Sequence, residues 1–126
     1  MKKLAYIAIA VPTLEQAVPF YTQILGLPKP EIKELPNERA FEATFYLENI
    51  QIKLIAPVSQ TSPLARAVAE NGGNNLLHHI AFETDDLQKQ LEQVQNAGGK
   101  VISGLGVGFV HPKTSQGVLV QFVEKK

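Results

Sequence analysis

The segment LHHIAFETDDLQKQLEQVQNAGG, Leu77 to Gly99, repeats without a gap the layout of AYIAIAVPTLEQAVPFYTQILG, Ala5 to Gly26. Tyr6 falls on His79, Ile7 on Ile80, Ala8 on Ala81, Leu14 on Leu87 and Gly26 on Gly99. Further on, IKLI at Ile52 to Ile55 matches VQFV at Val120 to Val123, which sets Lys53 against Gln121. A duplicated unit of this size predicts two similar four-stranded sheets, related by a pseudo-twofold axis and curled around a cleft. The copies run over about 1–57 and 77–126 and are joined by a helix around 62–71, all within one domain, 1–126, a usual length for a single domain.

Each copy opens on a strand. LAYIAIAV, Leu4 to Val11, is β-rich and stops at Pro12, which cannot donate to a sheet ladder. Thr13 and Gln16 have capping-box spacing, and Leu14, Ala17, Val18, Tyr21, Ile24 and Leu25 follow the helical period to Gly26. Pro19 would break a continuous helix, so an irregular first turn, or a helix proper that begins at Pro19, is expected. Phe41 to Leu47 alternates, with Phe41, Ala43, Phe45 and Leu47 on one face and Glu42, Thr44 and Tyr46 on the other. Glu48-Asn49 then turns the chain into the hairpin partner IQIKLIA. Ser62-Pro63 is a helix start, and Gly72-Gly73 its end. GLGVG, Gly104 to Gly108, opens no helix and reads as a bend or bulge in a strand rather than a phosphate loop.

The 12 basic and 12 acidic residues cancel and form no basic patch, which excludes a phosphate-backbone binder. No apolar stretch reaches the roughly 20 residues of a membrane helix, and the start of the chain makes no convincing signal peptide, so a cytoplasmic protein without membrane contacts is expected. With no cysteine, thiolate metal sites, disulfides and cysteine nucleophiles are all excluded. Chemistry is left to His, Glu, Lys, Tyr or a bound group.

Strand periodicity places the candidates. If Ile7, Ile9, Ile52, Leu54, Ile80, Phe82, Val120 and Phe122 pack beneath the helices, then Tyr6, Lys53, His79 and Gln121 line the opposite face, near the centre of the expected cleft. His79 reads as a base, a substrate-binding group or a remnant, while His78 points away and reads as structural. Lys53 on a buried-looking strand needs a counter-charge: either a structural partner, with Glu42 the obvious one, or a substrate anion. Glu42 has the facing of a general base. Tyr6 either bonds a substrate oxygen or fills space; Tyr46, on the polar face, and His111, before Pro112 at a strand end, complete the candidate substrate contacts, although a turn role explains His111 equally well.

SPLARAVAENGG with LLHHIAFETDDL, and FVHPKTSQGVLVQFV at the end, resemble segments of the vicinal oxygen chelate superfamily, and within it the methylmalonyl-CoA epimerases. The resemblance implies an α+β fold of two βαβββ modules forming a curved mixed sheet around a cleft, and often a homodimer. It also implies a divalent metal held at four central positions, polarising a thioester carbonyl while a carboxylate moves the adjacent proton. Those positions fall on Tyr6, Lys53, His79 and Gln121, so only His79 is a ligand of the expected kind. An ammonium offers no lone pair and repels a cation, and an amide cannot accept a catalytic proton, so no cofactor is expected and the metal is disfavoured. The stretch after Lys100 is also shorter than its counterpart.

Three functions follow as expectations. The first is an epimerase-like isomerase or lyase on a small carbonyl or acyl-thioester substrate without the metal. The second is a non-catalytic protein that binds or sequesters a small molecule, of the glyoxalase/bleomycin-resistance type. The third is a true metal-dependent methylmalonyl-CoA epimerase.

Overall fold

The computed structural model describes residues 3–102, 108–113 and 116–125, so Gly104 to Val107 of the expected bend lie outside the described residues. Contacts gather into two compact units, Ile7–His78 and Met1–Tyr6 with His79–Lys126. In chain order the elements are β1 (Leu4–Ala10), α1 (Leu14–Pro19), β2 (Glu31–Leu35), β3 (Ala40–Tyr46), β4 (Gln51–Pro57), α2 (Pro63–Glu70), β5 (Leu76–Thr84), α3 (Leu87–Asn96), β6 (Val101–Ile102), β7 (Phe109–Val110) and β8 (Val120–Glu124). This is a βαβββ run twice over, an α+β fold.

In the Ile7–His78 unit the strands lie in the order β2-β3-β4-β1. β3 and β4 pair antiparallel with Ala43 opposite Leu54 and Thr44 opposite Lys53, and the hairpin closes where the Leu47 amide donates to the Ile50 carbonyl at 3.0 Å. Period-two burial follows: Ala43, Phe45, Leu54 and Ala56 form the core with Val11 and Ala17, and Ile9, Leu14, Val18, Tyr21 and Ile52 pack against it. Phe41, placed by alternation on the same face, is 39% exposed, although Ala56 opposite it on β4 belongs to that core. β2 has no counterpart among the strands read from the sequence. EIKEL is exposed along most of its length on the edge of this sheet, and its charges suit an edge that must not pair further.

The helix ends follow their capping chemistry. Thr13 accepts from the Gln16 amide at 3.3 Å and Ser62 from the Ala65 amide at 3.2 Å, with Pro63 in the first turn of α2. Pro19 acts differently from either expectation. It closes α1, and the chain continues as a π turn over Phe20–Ile24, with the Leu25 amide donating to the Phe20 carbonyl at 3.0 Å. Proline lacks the amide hydrogen and crowds the preceding turn, so the helix widens there.

The other unit has the order β5-β8-β7-β6, with β5 and β8 parallel and the remaining pairs antiparallel. α3 starts at Leu87, the residue matched to Leu14, and is capped by Asp86 accepting from the Lys89 amide at 3.1 Å. The glycine match needs correction by one residue. Gly26 has φ +76 and its conformational counterpart is Gly98, φ +97, rather than Gly99. The cap of α3 closes from the Gly99 amide to the Val94 carbonyl, and that of the first helix from Leu27 to Tyr21, one residue wider. The π turn has inserted that residue. Gly108, φ +87, lies so close to β8 that a Cβ there would overlap the Phe122 carbonyl oxygen.

Candidate functional site

Two groups of the expected side chains are brought together, one in each unit. In the Ile7–His78 unit, the Lys53 ammonium lies 3.3 Å from Glu42 Oε1, with the two side chains 20% and 12% exposed. The pairing is diagonal across β3 and β4, since Glu42 is opposite Ile55 and Lys53 opposite Thr44. Thr44, buried, donates its hydroxyl to the same carboxylate oxygen at 3.3 Å. Glu42 thus holds an ion pair and a neutral hydrogen bond on a strand whose opposite face is core. Thr44 was not singled out by sequence reasoning, though its place between Glu42 and Tyr46 in the polar alternation marks it.

On the same strand, Tyr46 is half-exposed and donates to Glu31 Oε1 at 2.7 Å. That bond holds the Glu31 carboxyl below its ordinary range, helped by Lys33 at 3.5 Å, and holds the Tyr46 phenol above its own. The partnership was invisible because β2 was.

In the other unit, three of the expected residues meet. The Tyr6 hydroxyl lies 3.2 Å from His79 Nε2 and donates a hydrogen bond to Gln121 Oε1. Gln121 sits on β8, with Ala81 beside it on β5 and Phe109 on β7. His79 is buried, edge-on to Tyr6 and to Phe109 with ring centroids at 5.5 and 4.9 Å. Phe109 was not anticipated as a wall of this group; its place on the short β7 opposite Gln121 is set by tertiary pairing. His111 is tied into a turn: its Nδ1 accepts from the Lys113 amide at 3.0 Å, and its own amide donates to the Lys100 carbonyl at 2.7 Å. His78, on the opposite facing from its neighbour, has its imidazole held below its ordinary pKa by burial.

A divalent metal does not fit these donors. A phenol, an ammonium, an imidazole and an amide bring no negative charge to the four positions the resemblance implies, and the phenol, imidazole and amide are already bonded together. Among the described residues, no three His, Asp or Glu side chains gather as a metal cluster. No helix among them is long and apolar enough to cross a membrane.

Comparison with known proteins accords with the fold. The human mitochondrial methylmalonyl-CoA epimerase is 32% identical over 127 residues, covering 94% of this chain and 72% of its own. The ethylmalonyl-CoA/methylmalonyl-CoA epimerase of Cereibacter sphaeroides is 30% identical, covering 94% and 95%. A crystal structure of a methylmalonyl-CoA epimerase superposes with a TM-score of 0.82 at 25% identity, covering 98% of this chain and 94% of that one. The family model for the Glyoxalase/Bleomycin resistance protein/Dioxygenase superfamily matches residues 6–113. With that match spanning most of its length and both βαβββ runs in place, the chain belongs to the glyoxalase/bleomycin resistance/dioxygenase superfamily, the vicinal oxygen chelate fold.

Proposed function

We propose that this chain is an epimerase-like isomerase of an acyl thioester that inverts the carbon beside the thioester carbonyl without the divalent metal of its relatives. The substrate class comes from the two epimerases at 30% identity or more. The observation that carries the reading is the Lys53–Glu42 pair, an ammonium and a carboxylate 3.3 Å apart and both largely shielded from water.

The chemistry needs a base and a compensating positive charge. Glu42 takes the proton from the α-carbon, the C–H electron pair becomes a C=C bond, and the carbonyl π pair moves onto oxygen. Negative charge leaves Glu42 as it arrives on the substrate, and the Lys53 ammonium offsets it in both places. Returning a proton to the opposite face of the carbon gives the epimer. Lysine here takes over the electrostatic part of the metal's work, though not its coordination.

The test is exchange of the α-proton of methylmalonyl-CoA with deuterated water, followed by NMR on chelator-treated protein. Exchange that persists after chelation and disappears in Glu42→Gln supports the reading. Exchange that appears only when a divalent cation is added overturns metal independence. No exchange under either condition favours a second reading, a small-molecule binding protein, for which the specific support is Gln121: an amide tied to Tyr6 cannot carry a proton. The same reading expects a homodimer, which light scattering at micromolar concentration checks.

A further inference from the structure

Both hydrogen bonds to the Glu42 carboxylate land on the same oxygen: the Lys53 ammonium and the Thr44 hydroxyl each donate to Oε1 at 3.3 Å. Among the described residues every buried side-chain oxygen and nitrogen has a hydrogen-bond partner, so Oε2, which neither donor reaches, is not a buried atom. One oxygen of the carboxylate is engaged and the other is open to an approaching molecule. We infer that Glu42 Oε2 is the atom that takes the α-proton, and that Thr44 is a positioning residue that holds it in place through Oε1.

Strand geometry puts Thr44 where it can do this. Residues two apart on a strand share a face, so Thr44 stands beside Glu42 on β3, and it is also the direct cross-strand neighbour of Lys53 on β4. Thr44 is the most deeply buried of the three. Packing and β-branching fix its side chain, and its hydroxyl then selects among the orientations of a glutamate that turns about three side-chain bonds. Lys53 does not make that selection by itself. An ammonium on a flexible stem follows a carboxylate through a range of orientations, whereas one hydroxyl on a stiff side chain does not.

On the acyl-thioester reading, on which this assignment rests, Oε2 takes the α-proton as the C–H electron pair passes into the C=C bond. Two donors already occupy lone pairs of Oε1, which directs the proton to the other oxygen. Thr44 keeps its own hydrogen throughout, so the step balances without a co-reactant. With the base atom set before the substrate arrives, less ordering is left for the transition state.

The experiment measures the α-proton exchange rate and KM for methylmalonyl-CoA on chelator-treated wild type, Thr44→Val, Thr44→Ser, Thr44→Ala and Glu42→Gln, with thermal unfolding to report which variants fold. Threonine against valine and serine against alanine remove the same hydroxyl in two sizes of side chain, so the smaller pair decides if valine does not fold. The expected result is a fall of about tenfold or more in kcat across each pair with KM within about twofold, because Thr44 touches the base and not the substrate. Thr44→Ser should keep most of the wild-type rate. Serine no faster than alanine would mean that threonine acts through packing, and overturns the inference. Wild-type kcat in Thr44→Val with Glu42→Gln inactive overturns the role of Thr44 while leaving the acyl-thioester reading in place. Wild type without exchange, with or without an added divalent cation, removes the acyl-thioester reading and this inference with it.

Discussion

Lys53 and Glu42 form their ion pair on a diagonal: neither is the other's direct cross-strand neighbour, yet ammonium and carboxylate are 3.3 Å apart. Each charge has left most of its hydration behind, so either one left alone would be costly. Lys53→Met is expected to destabilise the fold by about 1–3 kcal/mol, between the values for exposed and buried pairs, while Lys53→Met with Glu42→Leu recovers much of that loss. Urea unfolding of the two single variants and the double variant closes the cycle; independent, additive losses would mean that the pair contributes nothing.

Ser62 is buried, accepts from the Ala65 amide and donates to the Ser59 carbonyl at 3.0 Å. Ser62→Ala removes a cap from α2 and takes the side-chain partner from the buried Ala65 amide, while the Ser59 carbonyl keeps the Ser62 amide at 3.4 Å. A loss of about 1–2 kcal/mol is expected from thermal or urea unfolding, and Ser62→Asp should recover part of it through the same cap.

Gly108→Ala should be among the most damaging single changes in the chain. Its φ of +87 disfavours any side chain, and the new methyl would overlap the carbonyl oxygen of Phe122, the residue whose amide bonds Gly108 in return at 2.8 Å. The loss should exceed about 2 kcal/mol, with faster amide exchange along β8 as the local signature.

Burial holds His78 below its ordinary pKa of 6.5, so the folded state binds its proton less readily than the unfolded one. The sign is therefore fixed: the contribution is fully present above 6.5 and is lost as pH falls from there through the lower folded-state value. Unfolding free energy measured between pH 7.5 and 5 should decline over that window in wild type, and the decline should be shallower in His78→Gln.

Much of this was legible in the order of residues. The caps at Thr13 and Ser62, the hairpin around Glu48-Asn49 and the start of α3 at Leu87 all follow from local chemistry. Glu42 was the carboxylate that facing alone offered to Lys53, and the two are in contact. What escaped depends on partners distant in the chain. β2 carries an edge strand's charges in place of an alternating apolar face, so Glu31 gave no hint of its bond to Tyr46. Phe109 lies against His79 only because a two-residue strand pairs beside β8. The contact of Tyr6 with His79 and Gln121 could be anticipated from duplication, but not the direction of its hydrogen bonds.

The π turn after Pro19 gives the first helix one residue that its counterpart after Asp86 lacks. A helix that swallows an insertion as a wider turn need not pass it on to its neighbours: both capping glycines still reach positive φ, and the strands beyond them start afresh. The two copies have therefore been able to diverge in length without diverging in plan, and this bulge is a scar by which they can be told apart. Deleting one residue between Phe20 and Ile24 would then restore symmetry more than it removed structure.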